Sequence, residues 1–406
     1  MALNTALSGL LGAQAGINVA ANNLANASTT GFKSGSAIFS DLYPNGSSNA
    51  AGQGVTQQFI QQDYSQGNLQ TTGNPLDLAV QGTGMFVVQK NGQNSYTRDG
   101  AFQVSPSGQL QNGAGSSVLG YGINAAGQSN GIVGPVTIST SAQPANASSK
   151  ISLNSALNSA DPVITAPFSS SNSSTYDEST SVVAYDSLGN ANHVQLYFQK
   201  QAASGASKPN DWLVYAQPQN ANGSSVGSAT KLTTLTFNSS GGLTGGSKAT
   251  RNVKWNNGAA SSNIAFNFSG TTVGAQNFAI NSVTNNGYAP GAYTGTQISK
   301  TGQVQATYSN GQSKTVSNLA LASFINEQGL IPVSTNLYQA SQTSGQPIIN
   351  NPGSGVNGTI VAGSLEESNT STSSELVNLL KYQEAYQANT SVLQTSQQDT
   401  AKLLQL

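Results

Sequence analysis

Residues at alternating intervals of four and three mark both ends of this chain. Near the N-terminus the stripe runs Leu3, Leu7, Leu10, Gln14, Ile17, Ala21, Leu24; near the other end it runs Leu376, Leu379, Gln383, Tyr386, Thr390, Leu393, Gln397, Thr400, Leu404. A mean spacing of 3.5 residues is the seam of helices packed along their length. It predicts a helix at each end, the two pairing as a coiled coil. The second helix should begin near Ser373 or Ser374, with Glu375 in its first turn, where a carboxylate meets the positive end of the helix dipole. Neither helix looks stable alone. Gly9, Gly12 and Gly16 interrupt the first, each costing about 1 kcal/mol relative to alanine. Its polar face is Asn, Ser and Gln, which offer no ion pairs, and isolated helices of this length are marginal in water. Both ends are therefore expected to gain order by packing on each other and on neighbouring copies. The alternative is an ordinary intramolecular helix pair.

Between the ends the pattern changes to period two with short turns. Leu76, Leu78 and Val80 alternate, Gly82-Thr83-Gly84 breaks the run, and Met85 to Val88 resumes it. Phe102 and Val104 alternate. Ser181 to Tyr185 and Val194 to Phe198 read as partner strands around the turn Asp186-Ser187-Leu188-Gly189-Asn190. Trp212 to Tyr215, Leu232 to Phe237, Ile264 to Phe268 and Phe278 to Val283 are further strands. The expected fold class is α+β, mainly β: terminal helices enclosing nested β-sandwich or barrel domains. Composition shifts at Ser139 to Ser149 and at Asn285 to Ala289 suggest a division. Residues 1–32 and 360–406 form a helical domain, 33–72 a linker or hinge, 73–149 with 290–358 a discontinuous β domain, and 150–289 an inserted β domain. Pro44 to Gly54 and Pro352 to Gly358 read as hinges or ordered turns.

Charged residues make up 7% of the chain, against about 25% in an ordinary soluble domain. With a net charge of -1, no field draws it to nucleic acid or to an anionic membrane. It contains no cysteine, which excludes disulfides, thiolate metal sites and thiol nucleophiles. No run of 18 apolar residues predicts a membrane-spanning helix. Nor does the start read as a cleaved signal peptide, since no Lys or Arg precedes Lys33. His193, the single histidine, has no partner constellation and is assigned to a strand. Asp177-Glu178 and Glu366-Glu367 are adjacent pairs, whose members face opposite ways on a strand; they are expected to be solvated. Tyr96, Phe102, Tyr185, Phe198, Trp212 and Trp255 are assigned to cores. No catalytic group, metal or cofactor is expected, so the chain reads as structural rather than enzymatic.

Specific blocks then carry a resemblance. Ala21-Asn22-Asn23-Leu24-Ala25-Asn26-Ala27-Ser28-Thr29-Thr30-Gly31-Phe32-Lys33 resembles the N-terminal signature of flagellar rod and hook proteins. Thr72-Gly73-Asn74-Pro75-Leu76-Asp77-Leu78 and Tyr96-Thr97-Arg98-Asp99-Gly100-Ala101-Phe102 resemble the next blocks. Gly363 to Asn369 and Tyr382 to Asn389 complete the set. Met85 departs from the pattern, where a larger aromatic is common, and reads as a tolerated core swap. The long middle, with Thr180 to Asn190, Gly287 to Gly291 and Gly329 to Val333, is similar to the hook branch of the family. The resemblance implies a self-assembling helical homopolymer, a flexible tubular universal joint passing torque from rod to filament. Its seam would be Leu3, Leu7, Leu10, Ile17, Leu24, Leu376, Leu379, Tyr386, Leu393 and Leu404, lining the inner tube with β domains outward and Lys33 to Gln70 as hinge. It further implies contacts with the distal rod protein, the hook-filament junction protein and the hook cap. It also implies export through the flagellar apparatus to a place outside the cell surface. A distal rod or junction subunit is the nearer alternative; a secreted β-rich adhesin or hydrolase is the remote one.

Overall fold

The computed structural model describes residues 2–41, 54–124, 127–202, 211–334 and 336–403. The chain forms two compact units, one of Met1–Thr140, Thr294–Thr307 and Ser313–Leu406, the other of Ser141–Tyr293 and Tyr308–Gln312.

In the first unit, helix α1 (Ala2–Ala25) packs along helix α2 (Thr372–Leu403). The cap of α2 is Ser371, whose Oγ accepts from Ser374 N at 3.4 Å, a little earlier than the sequence suggested. Glu375 does occupy the first turn. Strands β1 (Gly35–Asp41) and β2 (Val55–Gln62) form an antiparallel hairpin, from Gly35 opposite Gln62 to Asp41 opposite Val55, and it packs on α1. Much of the expected linker is thus paired β structure; residues 44–53 of the Pro44–Gly54 stretch lie outside those described. Pro352 to Gly358 is an ordered turn, with Gly353 N donating to Gly358 O at 2.8 Å.

The β body of this unit closes around Met85, Val87, Tyr96, Leu119, Ala320, Ala322, Leu330 and Tyr338. Met85–Lys90 and Gln93–Thr97 meet at the two-residue turn Asn91-Gly92, whose φ angles of 52° and 79° suit the twist of a tight hairpin. Two short pairings carry the distant C-terminal segment back. Thr359–Ala362 pairs with Leu78–Gln81, and Ser364–Glu366 pairs with Leu69–Thr71.

The second unit is a sandwich. One five-stranded antiparallel sheet follows sequence order through Glu178–Tyr185, Ala191–Lys200, Trp212–Gln219, Thr230–Phe237 and Leu243–Gly245. The other is centred on Lys150–Asn158, which pairs parallel with Ser262–Asn267 and Thr272–Gly274 and antiparallel with Ala279–Asn285. Trp212, Trp255, Phe198, Phe237, Phe266 and Phe268 fill the core, each 1% exposed or less. Asp186 begins the turn after Tyr185, where its buried carboxylate accepts from Leu188 N and Asn190 N at 2.9 Å each. It also accepts from the side-chain amides of Asn192 at 3.0 Å and Asn257 at 2.6 Å. Burial raises the Asp186 carboxyl, but the amide donors outweigh it and hold the group below the ordinary value.

Candidate functional site

The two terminal helices meet in one antiparallel register. Gly9 faces Asn389, Gly16 faces Tyr382, and Asn23 Nδ2 donates to Glu375 Oε1 at 3.1 Å. Each step of seven on α1 matches a step of seven back on α2. The pairing sets small against large: a Cβ at Gly16 would stand 2.5 Å from the Tyr382 ring, and one at Gly9 2.6 Å from Asn389 Oδ1. Gly12 points to the hairpin instead, where a Cβ would meet Val55 at 3.2 Å. The buried face of α1 is therefore Ala6, Gly12, Ala13, Gly16, Ala20 and Asn23. From Ala13 onward this stripe also steps by threes and fours, yet its small residues read in the sequence as helix weakness.

The leucine stripe lies beside that face. Leu3 and Leu7 are 41% and 46% exposed, while Leu10, Ile17 and Leu24 are half-buried. On α2, Leu379, Tyr386 and Leu393 are half-buried, and Leu376 is exposed. Leu404 lies outside the described residues. The side of α2 turned to α1 is Glu375, Leu379, Tyr382, Tyr386, Asn389 and Leu393, all partly covered.

Just below the helix pair, three sequence blocks meet on one buried carboxylate. Glu366 Oε1 lies 2.6 Å from Lys33 Nζ, and Glu366 Oε2 lies 3.1 Å from Arg98 Nη1, with side-chain exposures of 0%, 0% and 5% for Glu366, Lys33 and Arg98. Lys33 Nζ also donates to Ser65 O at 2.6 Å. Gly67 N donates to Glu366 Oε1 at 3.0 Å, and Arg98 donates to Val80 O and Gly82 O at 3.3 and 2.8 Å. Burial pushes the Lys33 ammonium below the ordinary lysine value, with Glu366 pulling the other way. Glu366 was expected to be solvated. It is fully buried, because Ser364–Glu366 is a strand that turns Glu366 inward and Glu367 out to solvent. Alternation on a strand is legible in sequence; which phase faces the core depended here on two cations far away in the chain.

The other signature residues support this junction. Gly31 has φ 67°, donates its N–H to Glu366 O at 2.7 Å, and lies so close to the Arg98-Asp99 backbone that a Cβ would be 2.5 Å from Asp99 N. Asn23 is 2% exposed; it donates to Gly35 O at 2.7 Å and accepts from Gly35 N at 3.0 Å, fixing the hairpin to α1. Asn26 donates to Asn22 O at 2.9 Å and closes the helix end. Thr30 O accepts from Asn336 at 2.8 Å, and Phe32 is half-buried. Gly73, at φ 77°, opens a turn in which Asn74 Oδ1 accepts from Leu76 N at 3.2 Å. Pro75 is exposed and Leu76 half-buried. Gly100 packs on Leu78 O. Tyr96 meets Phe324 edge-on at 4.8 Å, as Phe102 does Phe86 at 5.1 Å. Asn369, from the C-terminal block, accepts from Ser34 N at 2.8 Å and donates to Asp63 O at 2.7 Å.

Among the described residues no group of three or more His, Cys, Asp or Glu side chains is placed to hold a metal ion. No described helix is long and apolar enough to cross a membrane. His193 sits half-buried on its strand, 3.4 Å from Ser181 Oγ.

Helices from the two ends of the chain are thus paired and tied to a β body through blocks far apart in sequence. Family models match segment by segment: "Flagella basal body rod protein" over residues 3–33, "Flagellar hook protein FlgE/F/G D1 domain" over 79–155, "Flagellar basal body protein FlaE D2 domain" over 152–288, and "Flagellar basal body rod FlgEFG protein C-terminal" over 361–406. The chain belongs to the flagellar hook protein FlgE family. It is 34% identical over 414 residues to the flagellar hook protein FlgE of Salmonella typhimurium, and 35% over 424 residues to that of Escherichia coli, covering 100% of each chain in both comparisons. The hook protein of Treponema pallidum is 28% identical over 97% of this chain and 96% of its own. In fold the chain resembles the crystal structure of Helicobacter pylori flagellar hook protein FlgE2, with a TM-score of 0.58 at 14% identity, covering 73% of this chain and 100% of that one.

Proposed function

We propose that this chain is the structural subunit of a bacterial flagellar hook, many copies of which assemble into a flexible tube that passes torque from rod to filament. The observation that carries this reading is the terminal helix pair. It spends its small residues on its own partner and leaves Leu3, Leu7, Leu11, Leu376, Val377 and Leu380 exposed at 41% to 61%, apolar surface suited to further copies. In this reading residues 1–32 and 360–406 form the inner wall and 33–72 the hinge. Residues 73–149 with 290–358 form the inner β domain, and 150–289 the outer one. The leucine seam then carries assembly. Low charge suits outer surfaces that slide, since no strong ion pair locks one register. The tube would join the distal rod protein at one end and the hook-filament junction protein at the other. It would grow under the hook cap, from subunits delivered outside the cell by the flagellar export apparatus.

Seeded polymerisation followed by electron microscopy tests this. Curved, flexible tubes are expected; straight rigid ones would indicate a rod subunit, and persistent monomers would overturn the reading. Removing residues 1–24 should abolish assembly while the β units stay folded.

A further inference from the structure

A cleft of about 540 Å³ opens beside the helix pair. One wall is a single turn of α1, Asn18 to Asn22; the others are the hairpin, with Ile60 47% exposed, and the strand Ile331–Ser334, with Val333 45% exposed. Phe32, Leu337 and Tyr338 also line it. Its polar groups include amides such as Asn18 and Gln62, and the Lys33 ammonium is taken up by Glu366 and Ser65. An uncharged, partly apolar hollow of this kind favours an apolar insert over a charged one.

The same chain carries such an insert. Leu376, Val377 and Leu380 on α2 are 45%, 50% and 58% exposed. Their spacing of one and four places them on one ridge, about 6 Å long at 1.5 Å per residue, the length of the α1 turn that walls the cleft. The register of the helix pair, Gly16 to Tyr382 and Asn23 to Glu375, sets residues 376–380 level with residues 18–22. Ridge and cleft therefore stand at one height on the same helix pair, so copies packed side by side can bring one to the other.

We infer that the ridge Leu376, Val377 and Leu380 of one copy inserts into the cleft at Asn18 to Asn22, Ile60 and Val333 of its lateral neighbour. The contact joins two different surfaces of identical chains, so it propagates head to tail and closes into a ring or continues as a helix rather than stopping at a dimer. This inference rests on the self-assembly reading and names the surfaces it would use.

The absence of cysteine makes crosslinking a clean test. The full-length double variant Val333→Cys/Leu380→Cys is assembled under reducing conditions and then oxidised. A ladder of dimers, trimers and higher species on a non-reducing gel is expected, with neither single variant passing dimer. Tubes that yield only monomers, or an unextended dimer, overturn the contact but leave the self-assembly reading standing. Failure of the unmodified chain to form tubes would instead defeat that reading. If the double cysteine variant does not assemble, charge variants decide. Leu380→Lys and Val333→Glu should each slow elongation tenfold or more, and their combination should recover at least threefold. Unchanged elongation in either single variant, or no recovery in the pair, overturns the contact.

Discussion

Lys33 Nζ and Glu366 Oε1 lie 2.6 Å apart across 333 residues of sequence, both side chains sealed from water. Arg98 completes the cluster from the β body. Two cations share one carboxylate, and the carbonyls of Ser65, Val80 and Gly82 accept further donors from Lys33 Nζ and the two Arg98 Nη groups. A buried pair of this kind is weak evidence of net stability, yet removing one member leaves uncompensated charge.

Glu366→Ala should therefore destabilise the first unit by about 3–5 kcal/mol. Both tryptophans, Trp212 and Trp255, lie in the core of the second unit. Denaturation followed by tryptophan fluorescence should stay at the wild-type midpoint, while the helical circular dichroism transition moves to lower denaturant. Coincident movement of both signals would contradict this assignment.

Gly16→Ala sets two effects against each other. Alanine gains about 1 kcal/mol of helix propensity, but its Cβ would stand 2.5 Å from the Tyr382 ring, and overpacking costs about 1–3 kcal/mol. The clash should win, with a net loss of helix-pair stability on denaturation. Combining it with Tyr382→Ala should be less than additive, because the two positions share one contact.

Gly31→Ala meets a different obstacle. Its φ of 67° disfavours any side chain, and the neighbouring atoms are Arg98-Asp99 backbone rather than a movable ring. A loss of about 2 kcal/mol or more in the first unit is expected from strain and overpacking together, read by chemical denaturation with circular dichroism.

Asp186 gives the second unit an acid-sensitive turn. Burial opposes its charge, but amides of Asn257, Asn190 and Asn192 hold its carboxyl below the ordinary value. The unfolded chain then binds the proton more readily. The stabilisation is present above the unfolded pKa of about 4 and is lost as pH falls through the lower folded value. Asp177 and Glu178, pushed up by burial, contribute the opposite slope at higher pH, so comparison with Asp186→Asn isolates the turn. The variant should lose about 1–3 kcal/mol at pH 7 and show a flatter decline in tryptophan-monitored stability between about pH 4 and 2.

Both terminal helices and the paired strands around Asp186 were legible because each follows from local periodicity and turn chemistry. The face that joins α1 to α2 was not. Leucine is the stronger apolar signal, but Gly9, Gly16 and Ala13 permit the close approach that Tyr382 and Asn389 exploit, and smallness is visible as an asset only beside its partner. Likewise Lys33, Arg98 and Glu366 each stood within a signature block, but their meeting depends on Ser364–Glu366 pairing with Leu69–Thr71, a contact with no local trace. The parallel pairing of Lys150–Asn158 with Ser262–Asn267 is missed for the same reason: the crossover that allows it spans most of the second unit.

Asn23 and Glu375 clasp across 352 positions, and this imposes a timetable. As the polypeptide is made, the leading helix waits without its mate until residue 375 and the turns beyond it have emerged, after the strand Ser364–Glu366 that completes the β body. The helix pair is thus completed by the last segment of the chain to appear, and the exposed leucines beside it are held in place only once α2 is present.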